Sequence, residues 1–364
     1  VQAVNVLVIT APGQGAQTPG FLSPWLEIPG VATRLGAWSE LAGVDLIRFG
    51  TTASADEIKD TAVAQPLLVA AGLAAAAALF DDPALFDSPA LFDSPALFDG
   101  DLPATGPGLA AAGHSVGELV AGAIAGVLNA ADTLRLVAVR GRAMAEAAAA
   151  RPTGMTAVLG GDEATVLASI EAHGLTPANV NGAGQIVAAG TLEQLAAFAE
   201  DPPAGARLRP LPVAGAFHTV HMAPAVAALR AAAGTVTVRD PRMALLSNAD
   251  GAVVSTGTEW LDRIVGQVAT PVRWDACMAT MADHGITAMI ELPPAGTLTG
   301  LARRALPGVA RQPLKTPDDL AAARKLLAEV PSKTTVPSKT TVPSKPTGPS
   351  KPTGASEPIP RRHA

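Results

Sequence analysis

Apolar and polar positions divide the chain into two textures. The opening run, Val4-Asn-Val-Leu-Val-Ile-Thr10, is apolar and β-branched and stops at Pro12-Gly13-Gln14-Gly15, the pattern of a buried strand feeding a loop. Residues 62–78 are predicted to form a helix. A second strand over Leu109 to Ala112 ends in Gly113-His-Ser-Val-Gly-Glu118 and passes into a helical stretch from Leu119 to Val127. From about Thr153 to Pro212 the units shorten: strand 155–159, helix 164–173, strand 185–189, helix 192–200 and strand 207–213, with a further strand over 177–180. Strands at Met243 to Ser247 and Ala288 to Glu291 resume the longer rhythm. The alternation predicts an α/β fold, with a discontinuous large domain over 1–150 and 214–329 and a small domain inserted over 151–213.

The short β-α-β-α-β succession, with its additional strand, resembles a ferredoxin-like unit. Two other segments are repetitive. Over 79–100 the unit Leu-Phe-Asp-Ser-Pro-Ala recurs with period six, and a proline in each unit prevents a continuous helix, so an expanded surface loop is expected. Residues 330–364 are rich in Pro, Lys, Thr and Ser, which predicts disorder.

Composition narrows the function classes. A chain of 364 residues that is 48% hydrophobic can bury a sizeable core. The net charge is −6; the tail carries Lys333, Lys339, Lys345, Lys351, Arg361 and Arg362 against Glu357, so it is +5 and the body is near −11. An acidic body argues against general nucleic-acid binding. The lone Cys277 cannot form an internal disulfide, and the amino terminus lacks a basic-then-apolar leader pattern, so a cytoplasmic location is expected. The most apolar stretch, Leu67 to Leu79, falls short of the roughly 20 residues a membrane span needs, so none is expected.

Candidate chemistry centres on Gly113-His-Ser-Val-Gly117, a G-x-S-x-G pattern in which the serine occupies a strained strand-to-helix turn. There Ser115 is exposed as a nucleophile, and the backbone N–H of Val116 falls at a helix start, where it can stabilise an oxyanion. The base is sought among six histidines: His114, His173, His218, His221, His284 and His363. His173 and His284 each precede a glycine at the end of a helical pattern, His363 lies in the tail, and His114 adjoins the nucleophile as a buttress. His218 and His221 remain, one helical turn apart if a helix begins after Phe217, with His218 better placed to reach across the sheet.

Five ordered motifs carry a family resemblance: Pro12-Gly-Gln-Gly-Ala-Gln17, Gly113-His-Ser-Val-Gly-Glu118, Val139-Arg-Gly-Arg-Ala-Met144, Gly215-Ala-Phe-His-Thr219 and Gly266-Gln-Val-Ala-Thr-Pro-Val-Arg-Trp274. Supported by Asn179-Val-Asn-Gly182 and Pro293-Pro-Ala-Gly296, the stretch from about Val4 to Leu327 resembles the malonyl-CoA:acyl carrier protein transacylase family, its actinobacterial branch most closely. The repeats and the tail fall outside that pattern. The resemblance implies an α/β-hydrolase-like large domain with an inserted ferredoxin-like small domain and a site in the cleft between them. It implies Ser115 as acyl-ester nucleophile, His218 as base, and a backbone carbonyl at or near Gln267 orienting that base. The N–H groups of Gln14 and Val116 would form the oxyanion hole.

Three arginines, Arg135, Arg140 and Arg142, lie on the helical stretch after the nucleophile, and the resemblance selects Arg140 to pair the malonyl carboxylate. A guanidinium suits this role because it offers two parallel hydrogen bonds. Asn181, His114 and Phe217 are the further substrate-binding residues it implies. Phe217 before the histidine and Val116 after the serine resemble malonyl-selective pockets with little room for an α-methyl branch. No metal or redox cofactor is expected; the partners are malonyl-CoA and an acyl carrier protein of fatty-acid or polyketide synthesis, acting with a monomer. Two competing readings are a serine hydrolase, which shares G-x-S-x-G with histidine, and a non-catalytic carrier-protein-binding module.

Overall fold

The computed structural model describes residues 6–80, 108–182, 184–213 and 215–330. Val4 and Asn5 of the opening run, the hexapeptide repeats beyond Phe80 and the basic tail beyond Val330 lie outside the described residues. In chain order the strands are β1 (Leu7–Ala11), β2 (Leu109–Gly113), β3 (Thr153–Gly160), β4 (Thr176–Gly182), β5 (Gln185–Thr191), β6 (Ala206–Pro210), β7 (Ala244–Leu246), β8 (Val253–Val254), β9 (Val272–Arg273), β10 (Ala288–Glu291) and β11 (Ala310–Pro313). The helices are α1 (Val31–Ala42), α2 (Leu46–Thr51), α3 (Thr61–Phe80), α4 (Gly117–Ile124), α5 (Ala130–Ala149), α6 (Glu163–Ala172), α7 (Leu192–Glu200), α8 (Ala223–Ala233), α9 (Gly257–Gln267), α10 (Trp274–Asp283), α11 (Thr297–Ala305) and α12 (Leu320–Ala328). The α/β class follows directly.

One sheet runs β11-β10-β1-β2-β7-β8, parallel throughout except for the antiparallel β7–β8 pair. Its central strands β1 and β2 are buried at every position, as a parallel sheet covered on both faces requires. Alternation along β1 sorts its side chains between two cores: Leu7, Ile9 and Ala11 pack with α3 and α4, and Val8 packs with Trp274, Met278 and Leu298 on the opposite face. Helix α3 corrects the expectation from Leu67 to Leu79. It is 20 residues long with a mean hydropathy of 2.0 in its apolar window, enough by length and composition to cross a membrane, yet 89% of that window is buried inside the fold. It is a core helix, apolar on all sides because it is surrounded.

The second sheet runs β6-β3-β5-β4-β9, antiparallel apart from β4–β9. Four of its strands come from within 151–213; the fifth, Val272–Arg273, arrives from outside it and lies parallel to Asn179 and Val180. Val158, Ile170, Ile186 and Phe198 form a core of its own. Local signals set the helix starts: Asp162 accepts from Thr165 N–H, and Thr191 with Gln194 closes a capping box. Strand β6 ends at Pro210 and not at 213, since Pro210 and Pro212 have no N–H to extend the ladder. The helix after the nucleophile stops at Ile124, short of Val127, because Gly126 turns the chain at φ 80°. The three arginines therefore sit on the next helix, α5.

The parallel register aligns the carboxyl ends of β1 and β2, with Ala11 opposite Gly113. Sites in such sheets form at that edge. The two chains approach so closely there that a Cβ on Gly117 would collide with the carbonyl of Ala11. Helix propensity alone favours Gly117→Ala by up to about 1 kcal/mol, whereas overpacking against fixed backbone costs about 1–3 kcal/mol. We expect net destabilisation, read as a lower urea midpoint at unchanged m-value.

Candidate active site

Strand β2 delivers Gly113 to the sheet edge, α4 begins at Gly117, and Ser115 stands between them at φ 52°, a conformation uncommon for any residue with a Cβ. The turn is this sharp because neither flank carries a side chain: a Cβ on Gly113 would overlap the peptide between Gly117 and Glu118. The Ser115 hydroxyl is 2.7 Å from Nε2 of His218, itself at φ 61°. Nδ1 of His218 lies 2.8 Å from the carbonyl oxygen of Gln267. A carbonyl can only accept, so Nδ1 carries the proton, Nε2 is bare, and the serine donates to it.

That carbonyl is available for a physical reason. Gln267 is the last residue of α9, where carbonyls lack intrahelical partners. The backbone N–H of His218 docks on the next carbonyl, Val268 O, at 3.0 Å. The helix end is also the negative pole of its dipole and favours a proton on the imidazole when one arrives. In the free site burial, and then the nearby Arg140 cation, hold the His218 pKa down at about 3, so the ring is neutral.

Arg140 on α5 is buried, with 1% exposure, and its partners are neutral groups: Nη1 donates to Oε1 of Gln65 at 2.7 Å, and Nη2 donates to Oε1 of Gln267 at 2.7 Å and to Ser115 Oγ at 3.4 Å. Burial lowers its pKa to about 10, with Glu118 opposing the shift. Glu118 Oε2 accepts from Gln267 Nε2 at 2.6 Å and from Asn248 N–H at 3.3 Å. Burial raises that carboxyl to about 7.

The other sequence-derived residues surround this centre. Val116 caps α4. The loop bearing Gln14 packs on the nucleophile turn, a Cβ on Gly13 falling 2.9 Å from His114 Nδ1, while the Gln14 side chain donates to Lys59 O at 3.2 Å and Thr61 Oγ1 at 3.3 Å. Nε2 of His114 donates to Asn181 Oδ1 at 2.8 Å, and its ring meets Trp274 edge-on, linking the β2 turn to β4 of the second sheet. Burial lowers the His114 pKa. Phe217 is buried directly before His218. His221 falls in a short 3-10 turn, Val220–Met222, that begins after His218, so the pair does not share a helical face, and the ring that meets the Ser115 hydroxyl is that of His218. His173 and His284 cap helix ends, as the glycines after them predict. Arg135 is exposed and pairs with Asp132, and Arg142 is exposed. Cys277 is buried in α10, and burial pushes its thiol pKa up.

Sequence reasoning missed Gln65, Glu118 and Asn248. A signal existed for two of them: Gln65 is a lone amide in an otherwise apolar helix, and Glu118 an acid in a helix buried at every position. Among the described residues no group of three or more His, Cys, Asp or Glu converges as a metal site. An apolar groove of about 650 Å³ between α7 and the β3–β6 edge, lined by Leu192, Leu195, Leu208 and Pro210, contains no titratable side chain and does not include Ser115.

The acyl transferase domain family matches residues 100–337. The malonyl CoA-acyl carrier protein transacylase of Mycobacterium tuberculosis is 51% identical over 315 residues, covering 86% of this chain and 98% of that protein. The chain belongs to the malonyl-CoA:acyl carrier protein transacylase family. A second family member, from Mycolicibacterium smegmatis, is 50% identical over 306 residues, covering 82% and 98%. The crystal structure of the family member described as MCAT from Mycobacterium tuberculosis superposes with a TM-score of 0.79 at 50% identity, covering 88% of this chain and all of that one.

Two pH responses follow. With His218 neutral down to about 3, Ser115 acylation should not bend at the ordinary histidine value of about 6.5 on account of His218; stopped-flow acylation rates across pH 5–8 would test this, and an acid limb near 6.5 that persists in Glu118→Gln, which removes the carboxyl raised to about 7, would refute it. A base whose pKa is depressed on folding stabilises the protein above its unfolded value, and that stability drains away as pH falls from about 6.5 towards 3. His218→Gln should therefore lose less stability than the parent between pH 7 and 4, measured by urea midpoints.

Proposed function

We propose that the chain transfers a malonyl group from malonyl-CoA to the phosphopantetheine thiol of an acyl carrier protein through an ester on Ser115, supplying fatty-acid synthesis. The observation that carries this reading is the juxtaposition of the Ser115–His218–Gln267 carbonyl chain with a buried arginine 3.4 Å from the nucleophile. Hydrolysis needs the first of these but not the second.

In the first half-reaction His218 Nε2 takes the Ser115 proton as Oγ bonds to the thioester carbon. The tetrahedral oxyanion is met by the N–H groups of Val116 and Gln14, the carbon–sulfur bond breaks, and His218 returns the proton to the departing CoA sulfur. The carrier thiol then gives its proton to His218 and attacks the ester carbon, and as the carbon–oxygen bond breaks His218 returns that proton to Ser115 Oγ. These two steps are complete without a metal or redox group. The negative end of α9 stabilises the imidazolium in place of the aspartate of other triads. Arg140 receives the malonyl carboxylate through two parallel hydrogen bonds, with its neutral partners Gln65 and Gln267 leaving its charge uncompensated by direct contact. Phe217 and Val116 crowd the carbon bearing that carboxylate and favour malonyl over methylmalonyl by about 1–3 kcal/mol. Asn181 and His114 line the approach from the second sheet.

The strand order β6-β3-β5-β4, in a β-α-β-β-α-β succession, supports reading residues 151–213 as a ferredoxin-like unit inserted into an α/β-hydrolase-like body. The enzyme would act as a cytoplasmic monomer.

Intact mass after mixing with malonyl-CoA should show one malonyl adduct, absent in Ser115→Ala; an adduct forming at the parental rate in that variant would reassign the nucleophile. Rapid loss of the adduct to water, without a carrier thiol, would favour the hydrolase. Arg140→Ala should lower kcat/KM for malonyl-CoA by about 10²-fold or more, since it leaves a buried charge unpaired. Acetyl-CoA, lacking the second carboxylate, should lose little, and an equal loss for both donors would make Arg140 structural.

A further inference from the structure

We propose that Asn248, just beyond β7, is a positioning residue that fixes Ser115 for attack and, by occupying its backbone N–H, leaves the oxyanion to the N–H groups of Val116 and Gln14; this rests on the acyl-transfer reading above. Ser115 is held at a positive φ, and a residue with a Cβ stays there only when its surroundings over-determine it. The turn does not supply this restraint alone. Oδ1 of Asn248 accepts from Ser115 N–H at 2.7 Å, and Nδ2 of the same amide donates to Gly113 O at 2.7 Å. One planar side chain thus spans the turn from the last residue of β2 to the nucleophile, matching an acceptor to the donor and a donor to the acceptor.

The sequence folds this way because β7 pairs with β2, Ala111 opposite Leu245, so that three residues further on the two chains leave the sheet edge together. Asn248 is fully buried. Its own N–H donates to Glu118 Oε2, and Gln267 Nε2 donates to that oxygen and, at 3.2 Å, to Ser115 O. Side chains therefore hold Ser115 by its N–H and by its C=O, leaving the hydroxyl to face His218 Nε2. An N–H aimed at Asn248 cannot also aim at an oxyanion, since a hole donor must point where the charge develops. The stabilising N–H on this side belongs to Val116.

The test uses the full chain and two electrophiles, malonyl-CoA and a serine-directed fluorophosphonate, with the rate and final extent of Ser115 modification read by intact mass. Asn248→Ala should slow both reactions by about 10²-fold, with labelling still reaching one per chain and the KM for malonyl-CoA staying within about twofold of the parent. Asn248→Asp keeps the shape and the acceptor. Its deficit should shrink as pH falls, because a protonated carboxyl restores the acceptor-plus-donor pair of the amide. Parental labelling rates in Asn248→Ala, or a reduced final extent at parental rate, would overturn the proposal, as would an Asn248→Asp deficit that does not change with pH. Fluorophosphonate labelling of the parent without a malonyl adduct would sink the donor assignment alone, and the labelling rates of the variants would still judge Asn248.

Discussion

A guanidinium buried beside a serine is the constraint to which the rest of the site answers. Taking such a cation out of water costs several kcal/mol unless its donors are satisfied. A carboxylate in direct contact would satisfy them but would cancel the attraction for an acidic substrate. Here Gln65 from α3 and Gln267 from α9 accept from Arg140 with neutral oxygens, and the acid, Glu118 of α4, stands one amide further back. The same Gln267 offers its main-chain carbonyl to His218, so the contacts of the guanidinium and of the imidazole meet in one residue. Four helices are thereby tied to one another through polar contacts, which explains why amides and an acid lie deep in otherwise apolar packing.

The second sheet contributes differently. Its first four strands are contiguous in sequence, yet β9 and the helix it leads into belong to the carboxyl-terminal part of the chain. Through Trp274 and Asn181, both in contact with His114, the two sheets share a wall behind the nucleophile turn.

Much of this was legible in the sequence because it is local. Strand, glycine turn and helix around Ser115 are written in consecutive residues. Elimination among six histidines narrows the candidates to His218 and His221, with His218 preferred for its place at the loop end. Asn248, Gln65 and Glu118 could not be found that way. Their partners lie 133, 75 and 149 positions away, and nothing beside Asn248 in sequence distinguishes it from a turn residue after a strand. The helix expected over residues 62–78 is observed as Thr61–Phe80, so its bounds were nearly legible, whereas the role of Gln65 inside it was not, because the buried arginine it serves lies 75 positions away.

The residue that orients His218 does so with a main-chain oxygen, and this gives the site an unusual mutational profile. No codon change deletes a backbone carbonyl. Replacing the Gln267 side chain would alter the surroundings of Arg140 and Glu118 while leaving the acceptor for His218 in place, provided α9 still ends where it does. On the proposed mechanism, a genetic screen for inactive variants would therefore recover Ser115 and His218 as single positions. The third member would surface only as lesions scattered along a helix, wherever a substitution shifts its last turn.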